Sequence, residues 1–101
     1  MVDRPKAEQI VSRIQRYRAV LARLAAVPVE VFLTDADKVG NAKYHFVVAI
    51  ECCIDLANHL IASEGWRMPT SNADSFTVLG EAGAVPADRV ERWRAMARFR
   101  N

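Results

Sequence analysis

The chain predicts an all-α fold, a four-helix up-and-down bundle, and three observations carry that reading. Apolar residues recur at three- and four-residue steps in several segments, which is the helical period. Alternating two-residue patterns, the mark of half-buried strands, are absent. Capping residues and Gly or Pro stops separate the periodic segments and leave only short links, which favours antiparallel neighbours. With 101 residues, 51% hydrophobic and 26% charged, the composition suits one domain over residues 1–101 with a single core.

The elements follow in order. Asp3 can cap a first helix, with Pro5 tolerated in its first turn. Ile10, Ile14, Tyr17, Leu21 and Leu24 lie on one face of it, while Arg13, Arg16, Arg18 and Arg23 fall away from that stripe. Pro28 ends the helix, and a connection follows. Thr34 with Asp37 reads as a capping box for a long second helix reaching about Ser63, with Gly65 as its stop. Ser71 with Asp74 reads as another capping box, opening a short third helix that carries Phe76 and Leu79 and ends at Gly83. Pro86 starts the fourth, which aligns Val90, Trp93, Met96 and Ala97.

Net charge is +2, too small to imply a nucleic-acid partner by itself. Its distribution is uneven: residues 1–26 hold six Lys/Arg and two Asp/Glu, residues 27–85 three and eight, residues 86–101 five and two. Basic ends therefore flank an acidic middle, and folding could give one basic face. Cys52 and Cys53 are adjacent within an apolar run and read as reduced core thiols, which points to the cytoplasm. The polar first twenty residues show no secretory signal. No apolar stretch reaches the roughly 20 residues that span a bilayer, so no membrane is expected.

The second helix is apolar nearly all round. Phe46, Val47, Ile50, Cys53, Ile54, Ala57, Leu60 and Ile61 fill one broad face, and Val48, Ala49, Cys52 and Leu56 extend it. Such a helix is central or packs on another chain, and a homodimer contact is expected. Only Glu51, Asp55 and Asn58 form a polar stripe, with His59 at its margin. That stripe is open to three readings: a solvated surface, a metal site through Glu51, Asp55 and His59, or carboxylates that face an arginine. The di-iron pattern of paired Glu-x-x-His motifs is missing, so neither metal nor cofactor is expected.

The ending MARFRN supplies the arginine. At about 100° per residue, Arg100 falls within the stripe of Trp93, Met96 and Ala97, and Asn101 borders it, whereas Arg92, Arg94 and Arg98 lie outside. An inward guanidinium needs a partner, and Glu51 and Asp55 are the candidates. Trp66 and Arg67 sit in the loop GWRMPTS, where Trp66 either seals one end of the bundle or stacks on a nucleic-acid base.

The stretches YHFVVAIECCIDLANHLIASEGWRMP, SFTVLGEAGAVP and RWRAMARFRN together resemble the HepT-like branch of the HEPN superfamily. That resemblance implies a small helical ribonuclease, typically the toxin of a toxin–antitoxin pair with a nucleotidyltransferase antitoxin, acting on RNA as a cytoplasmic homodimer. Arg100 and Asn101 match the first two positions of the family's Arg-polar…His motif and are the implied catalytic residues. The His of that motif, and the Tyr that follows it in this branch and is modified with AMP, do not occur within the 101 residues, so the domain is expected to lack its C-terminal end. Arginine without imidazole keeps charge stabilisation and loses proton transfer, so this chain is expected to be inactive. RNA contacts would come from Arg100, Asn101 and the basic outer faces of the first and fourth helices. The alternative is a non-catalytic dimeric interaction module that binds a nucleotidyltransferase-type partner.

Overall fold

The computed structural model describes residues 3–100. Among them run five helices and no strand: α1 Arg4–Ala25, α2 Val29–Thr34, α3 Ala36–Glu64, α4 Asn72–Glu81 and α5 Ala87–Arg100. The Asp3 carboxylate accepts the Lys6 N–H at 3.1 Å and caps α1, with Pro5 in the first turn.

The connection after Pro28 holds a short helix, α2, that was expected as a link. Pro28 has φ −54° and precedes the helix, so the turn is partly pre-set by its ring. This helix moves the next cap by one residue. The Thr34 hydroxyl bonds back to the Glu30 and Val31 carbonyls, each at 3.1 Å, and so serves the end of α2. Asp35 caps α3 instead, accepting from the Asp37 and Lys38 N–H groups at 3.0 and 3.2 Å. Gly65 terminates α3 at φ +69°, a left-handed conformation that suits glycine.

Packing is organised around α3. On one side Ile50, Ile54, Ala57 and Ile61 meet Ala73, Phe76, Val78 and Leu79 of α4 and Ala97 of α5. Trp93 closes this core, its ring edge-on to Phe76 with centroids 5.8 Å apart. Trp66 packs against the same core, which favours the sealing role over base stacking. On the other side α1 packs chiefly on α3, where Ile10, Ala42 and Cys52 are buried. The radius of gyration is 15.3 Å, against roughly 13 Å for a compact 100-residue domain, because the helices extend along α3 instead of surrounding one centre.

Two expectations are modified by α3. Helix formation runs through Lys43 and Glu51, which interrupt the apolar run in sequence. By length and composition α3 therefore does suffice to cross a bilayer, with a mean hydropathy of 1.6 over 18 residues. α1 packs on one side of it and α4 with α5 on the other, and 28% of that window is buried. Phe46, assigned to the broad apolar face, is half exposed beside α2. Cys52 and Cys53 are free thiols, and burial pushes both thiol pKa values up.

Arg67 joins the α3–α4 loop to α4. Its Nη1 and Nη2 donate to the two Asp74 oxygens at 2.8 and 2.9 Å, and its Nε donates to Glu81 Oε1 at 2.8 Å. Asp74 also accepts the Thr70 N–H, while its own N–H bonds Ser71 Oγ, so the Ser71 cap forms as expected. The Arg67 guanidinium holds the Asp74 carboxyl well below the usual carboxylate range and lowers Glu81 as well. Both folded values are depressed, so this stabilisation is complete above the unfolded carboxylate range. It is lost as pH falls from about 5 through the folded values. Arg67→Met is expected to lower the thermal midpoint by a few degrees at neutral pH and to flatten the acid limb of the midpoint–pH curve. An acid limb unchanged from the wild type would show that Arg67 does not hold these carboxylates.

Candidate active site

Glu51, Ile54, Asp55 and Asn58 of α3, Asn72 of α4 and Arg100 of α5 line one open polar cleft of about 380 Å³. The positions follow from helix phase. Ala97 is completely buried and anchors α5 to α3. Arg100 lies one turn further along the same face, where α3 turns from apolar to polar. Its Nε forms an ion pair with Glu51 Oε1 at 2.7 Å, and the two side chains keep 37% and 43% of their exposure. The guanidinium is thus held at the mouth of the cleft, partly in water, and a ligand can reach it.

Asp55 lines the same cleft but makes no ion pair with Arg100 among the described residues. Asn58 Oδ1 accepts the Ser75 hydroxyl at 2.7 Å, and Ser75 is buried in α4. This bond fixes the Asn58 amide and ties the polar edge of α3 to α4. Sequence reasoning missed Asn72 and Ser75. Only their places one and four residues after the Ser71 cap marked them, and nothing local says that α4 begins beside the polar stripe of α3. Asn101 lies outside the described residues.

The arginines outside the stripe divide. Arg92 and Arg98 are exposed, and Arg98 pairs with Glu91 at 3.1 Å. Arg94, expected in water, is half-buried and donates from Nη1 to Thr77 Oγ1 on α4. Neither histidine lines the cleft. His45 donates from Nδ1 to the Asn41 carbonyl at 2.9 Å, and its ring meets Tyr17 and Tyr44 edge-on. His59 has its Nε2 buried without a hydrogen-bond partner among the described residues. Among the described residues no three His, Cys, Asp or Glu side chains are placed to hold a metal ion, so Glu51, Asp55 and His59 do not converge on one.

An all-helical fold with an arginine–carboxylate cleft between its longest helix and its last one defines the class: a helical domain equipped to meet an anion. A scan of protein-family models matches residues 7–101 to the HepT-like family, described as Ribonuclease HepT-like. The chain belongs to the HepT-like ribonuclease family. Neither the curated proteins nor the solved structures give a significant match.

Proposed function

We propose that this chain is the body of a ribonuclease toxin domain that acts on RNA phosphodiesters without a metal, and that these 101 residues alone are inactive. The observation that carries the reading is the Arg100–Glu51 pair at the cleft mouth. Arg100 and Asn101 are the catalytic-motif positions. The guanidinium would bind a non-bridging oxygen of the scissile phosphate and stabilise the charge that develops there. Glu51 orients it through Nε, with Asp55 and Asn58 bordering the same cleft. In-line attack by a 2′-hydroxyl also needs a group to take its proton, for which an imidazole is suited near neutral pH. Neither His45 nor His59 lines the cleft, which supports inactivity of the 101 residues as they stand.

The same fact favours a second reading. A helical module without proton-transfer chemistry would dimerise and bind a nucleotidyltransferase-type antitoxin. Under either reading the protein works as a cytoplasmic homodimer. The exposed Val29, Leu33 and Phe46 around α2 and the start of α3 supply apolar surface for that contact.

The test is RNA digestion by the 101-residue chain and by any longer gene product that contains it. Intact RNA with the first, and cleavage with the second that falls by about a hundredfold or more in Arg100→Ala, are expected. Retained cleavage in Arg100→Ala removes Arg100 from the site, and cleavage by the 101 residues overturns their inactivity. A gene product that cleaves nothing but binds the nucleotidyltransferase establishes the interaction module. Light scattering of the same samples is expected to give a dimer, and a strict monomer at high micromolar concentration would remove the dimer from the reading.

A further inference from the structure

Helix α1 carries six Lys/Arg and a single carboxylate, Glu8. Glu8 engages Arg4 at 4.0 Å. Lys6, Arg13, Arg16, Arg18 and Arg23 are exposed and make no ion pair with any described residue. Elsewhere Arg67, Arg94, Arg98 and Arg100 engage carboxylates of their own chain, whereas Arg89 and Arg92 of α5 are exposed and make no ion pair with any described residue. Five of the six cations of α1 are thus unpaired among the described residues, and helical phase places them asymmetrically. Gln9, Ser12, Arg13 and Arg16 follow the i, i+3, i+4, i+7 pattern of one face and line a shallow recess of about 430 Å³.

The position of that recess follows from the packing. The link between α1 and α3 holds ten residues, 26–35. Six of those residues are coiled in α2, which leaves the link a reach of roughly 20 Å, too short to return along a helix of about 33 Å, so the two helices run antiparallel. Ile10 faces α3 and Cys52 faces α1. With right-handed helices in that arrangement, the Gln9–Arg16 flank of α1 and the Glu51–Asp55 edge of α3 fall on the same side of their contact. The Cys52 thiol, raised first by burial, also feels Arg13 and Arg16 from one helix and Asp55 and Glu51 from its own.

We infer that the Gln9–Ser12–Arg13–Arg16 flank of α1 is a docking track for the phosphate backbone of single-stranded RNA, leading it into the Arg100 cleft. The inference rests on the RNA-acting reading above and gives it an approach path. Charge complementarity carries it: unpaired guanidiniums one helical turn apart can each take a phosphate and release its counterions. Polar side chains alone line the recess, which therefore lacks the apolar or aromatic anchor on which a protein interface centres.

Binding of a short fluorescein-labelled single-stranded RNA to the 101-residue chain, followed by anisotropy across a salt series, tests the track without requiring cleavage. Arg13→Gln and Arg16→Gln are expected each to make the slope of log K against log salt shallower by about 0.7, and together by about 1.4. Arg18→Gln, on the opposite flank of α1, is expected to leave the slope unchanged. All three positions are exposed, and unchanged helical circular dichroism checks that the variants fold. A wild type that binds with a slope insensitive to Arg13 and Arg16, or equally sensitive to Arg18, overturns the track while RNA binding stands. A wild type that ignores RNA even at low salt overturns the track and the RNA-acting reading together.

Discussion

Replacing Phe76 with alanine is expected to cost about 3–5 kcal/mol and to lower the thermal midpoint by about 15 °C or more. Phe76 is 2% exposed and sits where α4 meets both α3 and α5. Removing its ring leaves a void that Ile54, Ala57 and Leu79 cannot fill without α4 shifting. It also strips the edge-on partner from Trp93. Domains of this size hold roughly 5–15 kcal/mol in total, so this one substitution removes a large share. Trp93 fluorescence gives the readout directly, because the indole lies against the ring that is lost. A midpoint that falls by less than about 4 °C would show that Phe76 is not central to this core.

Gly80→Ala is expected to destabilise by about 1–3 kcal/mol, opposite in sign to the usual effect of alanine in a helix interior. An ordinary glycine-to-alanine change there gains roughly 0.5–1 kcal/mol from lost backbone freedom in the unfolded chain. At Gly80 an added Cβ would stand 2.5 Å from Val90 Cγ2. Valine is short and stiff at χ1, so its methyl cannot swing aside, and α5 must move away from α4. The double variant Gly80→Ala/Val90→Ala is expected to regain stability relative to Gly80→Ala alone, as coupled neighbours do. Urea midpoints of the four proteins check this cycle. A Gly80→Ala single variant more stable than the wild type would mean that the two helices do not approach so closely.

Much of the architecture was legible from local chemistry. The Asp3 and Ser71 caps, the glycine stop at Gly65 and the apolar stripe of α1 each depend on residues within a turn or two of one another. Arg100 was legible for a related reason: once α5 is buried at Ala97, helical geometry leaves the side chain one turn later little choice of direction. Its partner is Glu51 and not Asp55, because the crossing point of α5 on α3 selects between residues one turn apart, and phase alone does not fix that point. The helix α2 was not legible. Its six residues, VEVFLT, are too few to show a period, and Val29, Val31 and Phe32 have side chains that favour strands as much as helices. Missing it displaced the α3 cap, since Thr34 and Asp35 are both good caps and only the demand of α2 for the Thr34 hydroxyl decides between them. Arg67, Asp74 and Glu81 are seven residues apart in turn, so the two carboxylates share a face of α4. The loop geometry that brings Arg67 across both of them is a tertiary property.

Because α3 serves as a common wall for two thin layers of packing, the molecule behaves as a book of two leaves bound along one spine. The Glu51–Arg100 bond belongs wholly to the spine and the α4–α5 leaf, while the α1 leaf is held to the spine by the most extensive helix contact in the fold. A polyanion laid from Arg13 to Arg100 would then reach from one cover to the other across the spine.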